Sequence, residues 1–453
     1  MRLKSIKSEI VSHLSYTISS EDEAAVIDPR RDCDIYLKIA NKWSSRIKYI
    51  FETHRNEDYV IGSLELAKIT GARIFHGPGL DWGYGETIYD GQEFSLGKLI
   101  IKAIHTPGHS PDSTCYIVKE NHTPILVFTG DTLFVGDVGR TDFLGPEMTP
   151  IMGEKLYQSI FNKLLPLGDG VIILPAHGAG SVCGDKISER EFSTIGIEKA
   201  TNPMLKLSKE EFIAKKVEEK LDYPPYFKRM EIYNLKGPPL IGSIRPIPIL
   251  TSKEFHEKIE SGAQVIDVRK PIEFINRHIP KSYNVPMNML NLAGWVLSYD
   301  KPVLLVTDSA SVLDFIVRNL IRIGYDEIEG CLADGLEGWF KEGLPVARLG
   351  SIKAQELNYL ISTNREISIL DIRDEYAWKR GHISGSINVP IRKLEEEVNR
   401  LSKDKPIVVI CEVGNTSSFV ASVLLRKGFN QVYTCLGGME AWIKSGYSVE
   451  STQ

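Results

Sequence analysis

The chain has 453 residues, 42% apolar and 25% charged, with a formal net charge of −5. That usage excludes a disordered or fibrous chain, because it supplies apolar surface for ordinary cores. The slight acidity gives no general electrostatic reason to bind nucleic acid. At about 150 residues per domain, the length leads to an expectation of roughly three domains, each able to bury its own core. No apolar run approaches the length that spans a bilayer. The opening MRLKSIKSEIVSHLSYTISS is too interrupted by charged and polar residues to read as a secretory leader. The cysteines, Cys33, Cys115, Cys183, Cys331, Cys411 and Cys435, are scattered without a CxxC pair. They point to reduced thiols, a cytoplasmic location and no membrane association.

Residues 1–235 alternate apolar runs (AAVID, IKYIF, LIIKAI, ILVFTG, GVIILPAH) with polar loops, and the runs predict buried strands. A helix is predicted from Ser63 through Lys68, stopped by Thr70-Gly71. Three loops that follow strands carry metal-ligating side chains: THRNEDY (53–59), HTPGHSPDS (105–113) and FTGDTLF (128–134), with PAHG (175–178) as a fourth. Because each begins where an apolar run ends, the four are expected to converge at one edge of a sheet. The stretch LKGPPLIGSIRPIPIL then concentrates prolines and glycines, and residues 236–250 are read as an interdomain linker.

Beyond the linker the chain repeats itself. VIDVRKPIEFINRHIPKSYNVP matches ILDIRDEYAWKRGHISGSINVP, with Asp267, Arg269, His278, Asn284 and Pro286 each recurring 104 residues later. A period this long marks two copies of a domain rather than a solenoid, whose units run to about 20–50 residues. The copies are placed at 251–347 and 348–453, and their strands alternate with helical patterns, as in a parallel α/β sheet. The same offset sets Thr307 opposite Cys411.

In order and content, the four N-terminal loops resemble those of the metallo-β-lactamase fold, over roughly residues 15–200. The resemblance implies an αββα sandwich. Hydrolases of that fold such as glyoxalase II fill two metal positions with all the histidines of the first loop. Here His54, His109 and Asp131 match family ligands, and Asp58 and His177 are present, but Asn56 and Tyr59 stand where two imidazoles would be. A neutral amide is a weak zinc ligand, so a dinuclear hydrolytic site is expected to be crippled. Two imidazoles and one carboxylate, in contrast, are the set that leaves positions open on a non-haem Fe(II) ion. The mononuclear branch of the fold, the persulfide dioxygenase family, takes its iron ligands from the positions of His54, His109 and Asp131. The resemblance therefore implies one Fe(II) per chain. That family usually keeps His at positions 56 and 59, so the surroundings of the ion differ here. Asn56 is expected to orient water and Tyr59 to hydrogen-bond towards the open face, with Asp58 and His177 beside the ligands or holding a second ion. VGRTDF (138–143) resembles the segment that contacts the thiol carrier of the persulfide, which assigns Arg140 and Thr141 to substrate binding; a guanidinium fork suits a carboxylate or phosphate. PPYFKRM (224–230) is also similar to fused members of the family.

The two C-terminal copies resemble rhodanese, a sulfurtransferase fold whose cysteine sits in a loop of inward-pointing amides ahead of a helix. Such a loop stabilises a thiolate and its persulfide. The resemblance makes Cys411 the persulfide carrier in the loop Cys411-Glu412-Val413-Gly414-Asn415-Thr416. Thr307 cannot carry sulfane sulfur, so the first copy is read as a pseudo-rhodanese. Thr416 stands where an arginine is often found, and Glu412 adds negative charge, which favours a neutral or weakly anionic sulfur donor. Cys331 and Cys435 are read as core residues, and Asp371, Arg373 and His382 as structural.

The expected protein is α/β throughout: an αββα sandwich followed by two rhodanese-like domains. Its expected activity is oxidation of a low-molecular-weight thiol persulfide by O2 to sulfite and thiol, coupled to sulfur transfer through Cys411 in sulfide detoxification. Persulfide, O2 and sulfite are the expected partners, and a homo-oligomer the expected assembly. The rivals are a zinc-dependent, glyoxalase II-like thioester hydrolase and a non-catalytic sulfur-relay protein.

Overall fold

The apolar runs form strands because their β-branched and aromatic side chains pack on pleated, buried surfaces, and the polar segments between them break each ladder. The computed structural model describes residues 1–184, 186–244 and 246–452. The chain divides into two compact units, Met1–Ile244 with Arg318–Gly324, and Arg245–Val317 with Tyr325–Gln453.

In the first unit, one sheet is ordered β1 (Arg2–Ser8), β2 (His13–Ser20), β3 (Glu23–Ile27), β4 (Arg46–Phe51), β5 (Arg73–His76) and β6 (Glu86–Thr87). The second runs from β7 (Glu93–Leu96) through β8 (Leu99–His105), β9 (Thr114–Glu120), β10 (Thr123–Gly130) and β11 (Ile172–Pro175) to β12 (Ser193–Thr194). The inner faces share one core, in which Tyr16, Ile27, Phe51 and Phe75 meet Phe94, Ile101, Tyr116 and Phe128. Helices cover both outer faces: Asp34–Lys42 and Ser63–Thr70 on the first sheet, Thr149–Gln158 and Lys209–Glu218 on the second. This is the αββα sandwich. The helix expected after the first loop is Ser63–Thr70, closed by Gly71 at φ 72°.

The metal loops follow the C-terminal ends of β4, β8, β10 and β11. They were expected at one edge of a single sheet, but β4 belongs to the first sheet and the others to the second, so they meet across the rim of the sandwich. Gly130 makes the rim turn at φ 53°, and a Cβ there would lie 2.7 Å from Thr53 Oγ1, so only glycine allows the loops after β4 and β10 to approach.

In the second unit, two five-stranded parallel sheets repeat one strand order. The first is β13 (Ile249–Leu250), β17 (Ile328–Leu332), β16 (Val303–Val306), β14 (Gln264–Asp267) and β15 (Tyr283–Asn284). The second is β18 (Gly350–Lys353), β22 (Val432–Leu436), β21 (Ile407–Ile410), β19 (Ser368–Asp371) and β20 (Ile387–Asn388). The helix Ser417–Arg426 of the second repeat is buried from Ser417 through Leu424. Ser418 Oγ donates to Asn284 Oδ1 at 2.6 Å, and the Asn284 N–H donates to Ser422 Oγ at 3.2 Å. Arg426 covers the ring of Tyr283 at 4.4 Å. The proline-rich stretch between helix Phe227–Lys236 and β13 carries no helix or strand among its described residues; Arg245 lies outside them.

Candidate metal centre and sulfur loop

The first metal loop is fixed before any ion is considered. Asp28, at the end of β3, accepts from Thr53 N–H and Thr53 Oγ1–H, both at 2.7 Å. Having given its proton to Asp28, Thr53 Oγ1 accepts from His54 Nδ1 at 2.9 Å. That places the imidazole proton on Nδ1 and leaves Nε2 a free lone pair. His109 is set in the same way: its Nδ1 lies 3.1 Å from the Arg140 carbonyl, an acceptor only, so Nε2 again is free.

The free atoms converge. His109 Nε2 is 3.4 Å from Asp131 Oδ2, His54 Nε2 is 3.7 Å from the same oxygen, and Glu57 Oε2 is 3.8 Å from His109 Nε2. His54, Glu57 and His109 offer ligand atoms within 4.8 Å of one another. All four residues are buried, and none of these four atoms has a hydrogen-bond partner. A buried polar atom left unpaired costs about 1–3 kcal/mol, so orphans gathered around the two imidazoles indicate an absent partner. One divalent ion, with ligands at about 2.0–2.2 Å, would satisfy the His54, His109 and Asp131 atoms together, and this mixed imidazole–carboxylate donor set fits iron as well as zinc. Burial pulls the His54 pKa down to about 4. Burial would raise Asp131, but His177, His54 and His109 hold its carboxyl well below the usual range.

A second group adjoins the first. His177 Nδ1 bonds Asp131 Oδ1 at 2.7 Å, and His177 Nε2 lies 2.9 Å from Asp58 Oδ2. That second approach is an ion pair off the line of a hydrogen bond, so both Asp58 oxygens stay without a hydrogen-bond partner. Burial disfavours a charged His177, yet Asp131 and Asp58 outweigh it and hold the imidazolium. Asp58, His177 and Cys183 lie close enough together to hold a cation once the His177 ring gives up its Nε2 proton.

Asn56 turns its amide back onto the His54 carbonyl at 3.1 Å. Tyr59 lays its ring 4.0 Å from that of His13 and directs its hydroxyl towards the Asp28 carbonyl at 3.5 Å. The loop carrying both is held from below by Asn234, on the helix Phe227–Lys236. Asn234 donates to the carbonyls of Asn56 and Tyr59 at 2.6 and 2.7 Å and accepts from Ile61 N–H at 2.9 Å.

Arg140 is buried, and its guanidinium makes four hydrogen bonds, two to Asp142 and one each to the carbonyls of Val182 and Asp222. What it presents to the metal centre is its own carbonyl, on His109. Thr141 Oγ1 is buried without a partner. The Phe143 ring meets His109 edge-on at 5.2 Å and packs beside Tyr223 and Phe227, so the 224–230 segment helps wall the site.

In the second repeat, Cys411 is buried and its sulfur accepts from Gly414 N–H at 3.2 Å, just ahead of the helix Ser417–Arg426. Glu412 is exposed and pairs at 3.3 Å with Arg373, which also clasps Asp371. Val413 and Asn415 line the loop, and Thr416 leads into the helix. His382 bonds the Trp378 carbonyl. In the first repeat, Thr307 Oγ1 takes the place of the sulfur and accepts from Ser309 N–H at 3.4 Å. That repeat keeps a cavity of about 560 Å³ lined by Arg269, Thr307 and Asp308. Cys331 and Cys435 are buried, with thiols pushed up by burial to about 11 and about 12.

Glu57, Thr53, Asp28 and the distant Asn234 were not singled out from the sequence. Glu57 had one signal, a carboxylate next to a lost histidine. Cys183 had been read only as a scattered thiol.

Residues 10–177 match the metallo-beta-lactamase superfamily, and residues 251–342 and 353–445 each match the rhodanese-like domain. Over 212 residues the chain is 30% identical to the mitochondrial persulfide dioxygenase ETHE1 of Bos taurus, an overlap of 45% of this chain and 73% of that protein. Over 207 residues it is 29% identical to the hydroxyacylglutathione hydrolase GloC of Haemophilus influenzae, covering 41% of this chain and 88% of that one. A crystal structure of a metallo-beta-lactamase from Staphylococcus aureus superposes with a TM-score of 0.65 at 28% identity, spanning 73% of this chain and 98% of that chain. This chain belongs to the metallo-β-lactamase superfamily, as a relative of persulfide dioxygenase in which two rhodanese-like domains follow the metal-loop domain.

Proposed function

We propose that the chain is a non-haem Fe(II) persulfide dioxygenase coupled to a sulfurtransferase module. The reaction is RSSH + O2 + H2O → RSH + SO3²⁻ + 2 H⁺. The observation that carries this reading is the meeting of three orphaned buried atoms, His54 Nε2, His109 Nε2 and Asp131 Oδ2. A bound Fe(II) would supply the redox centre at which persulfide sulfur and O2 react. The chain's part is to hold both imidazoles in the right tautomer through Thr53 and the Arg140 carbonyl, and to present Asp131 as an ionised carboxylate. The free Thr141 hydroxyl is a donor for the substrate, and Phe143 with Tyr223 and Phe227 keeps water from one side. Cys411 then carries sulfane sulfur, either bringing it to the oxygenase as persulfide or combining it with the sulfite produced. Fusion holds the two steps at high effective concentration. A cytoplasmic homo-oligomer is part of the same proposal, with light scattering as its check.

Oxygen uptake tests the reading, using anaerobically iron-loaded enzyme with glutathione, coenzyme A and cysteine persulfides. Uptake with at least one of them is expected. His109→Ala should remove it, while Cys411→Ser should spare uptake and remove sulfur transfer. A second reading, a zinc-dependent thioester hydrolase, draws on the Asp58–His177–Cys183 set as a second ion site. Metal analysis separates the two: about one iron per chain on the first reading, one or two zinc on the second.

A further inference from the structure

The loop after β4 lacks an imidazole at Asn56 and has a carboxylate next to it, and we propose that Glu57 is a fourth protein ligand of the ion, so that two imidazoles and two carboxylates hold it. The inference rests on the dioxygenase reading only for the identity of the ion as iron; the donor set stands on geometry.

Asn56 spends its amide N–H on the His54 carbonyl, and its Oδ1 is buried without a hydrogen-bond partner. Glu57 faces inward with 1% exposure. Its two oxygens are treated differently: Oε1 accepts from Arg55 Nη2 at 3.1 Å, whereas Oε2 has no hydrogen-bond partner and lies 3.8 Å from His109 Nε2. A glutamate present only to neutralise Arg55 would have both oxygens supplied with donors, because an unpaired buried carboxylate oxygen is costly. Arg55 is itself held, by Asp112 Oδ2 on its N–H at 2.7 Å and by Glu231 at 3.5 Å. It thus works as a clamp that fixes the carboxylate with one oxygen turned to the centre.

Charge favours the same arrangement. A divalent ion on Asp131 alone leaves a buried net positive charge, and buried net charge is expensive. Adding Glu57 makes the set neutral. A neutral, carboxylate-rich set also favours the higher oxidation state of iron and draws an anionic persulfide less strongly than a positive set would.

The test uses the full chain, stripped of metal and titrated anaerobically with Co(II), whose visible spectrum reports its ligands whether or not the enzyme consumes O2. Glu57→Gln keeps the shape of the side chain and Glu57→Ala removes it; Arg55→Met removes the clamp and leaves the ligand. Both Glu57 variants should shift the cobalt bands and lower Co(II) affinity in chelator competition by at least about tenfold, with Arg55→Met closer to wild type in its bands. Wild-type bands and affinity in folded Glu57→Gln would overturn the assignment, and so would an identical change in Arg55→Met. Oxygen uptake is read separately. Glu57-dependent cobalt bands without uptake of any persulfide would defeat the dioxygenase reading and leave the ligand; uptake with Glu57-independent bands would defeat the ligand alone.

Discussion

Thr53 touches no ion in this arrangement, yet it decides which nitrogen of His54 can. Its hydroxyl gives to Asp28 and receives from His54 Nδ1, so Thr53→Val should let the imidazole turn or change tautomer. Groups that orient a metal-bound histidine in this way are typically worth 10–100-fold in affinity. Thr53→Val is therefore expected to lower metal affinity by that order in chelator competition, and Thr53→Ser to restore most of it. At this scale the sequence was legible where a motif names residues and opaque where a role depends on the partner. His54, His109 and Asp131 stand at fixed places in loops of recognisable content, and the structure brings them together. Glu57 has no motif of its own; whether it answers Arg55 or the centre depends on which oxygen faces inward, and spacing does not encode that. The guanidinium of Arg140 was assigned to substrate as a fork of donors, but its hydrogen bonds go to Asp142, Val182 and Asp222, partners that its neighbours in the chain do not announce.

Between elements, single side chains join segments far apart in sequence. Asn234 on the helix Phe227–Lys236 makes three hydrogen bonds to the loop that carries Asn56 and Tyr59. Asn234→Ala leaves two buried carbonyls and an amide unpaired, for a cost of about 2–4 kcal/mol. At about 2–4 °C per kcal/mol for a unit of this size, calorimetry should show a fall of several degrees in its melting temperature, with a matching loss of metal affinity as the loop loosens. In the sulfur loop, Gly414 sits at φ 83° and a Cβ there would lie 2.8 Å from the Gly437 nitrogen. Gly414→Ala is expected to cut sulfur transfer at least about tenfold, since side chains pay strain at positive φ, while oxygen uptake stays as in wild type. The strands were legible in this unit because both repeats carry short apolar runs at a common offset. Whether a helix face is covered by the other repeat was not, since a buried serine such as Ser418 looks in sequence like an exposed one.

For the whole molecule, length alone suggested three domains, and the family matches give three, at 10–177, 251–342 and 353–445, while contacts sort them into two compact units with both repeats in the second. Domain size sets the expectation, but it is insensitive to whether two repeats share buried faces. Two units should melt as separate transitions, and only one contains the ion's ligands. Because a ligand that binds the native state stabilises it by mass action, removing metal with a chelator should lower one transition by several degrees and leave the other in place. In His54→Ala the chelator should have little effect. A chelator that moved both transitions together would argue against independent melting.

The helix Ser417–Arg426, enclosed along most of its length and tied to Asn284 and Tyr283 of the first repeat, has a corollary. The copy with Thr307 in place of a cysteine serves as a roof for the helix of its twin, and excising it would strand that buried surface in water. Substitutions at the mouth around Thr307 are therefore expected to cost less stability than substitutions along the seam, where a repeat without a thiol at that position still acts as masonry.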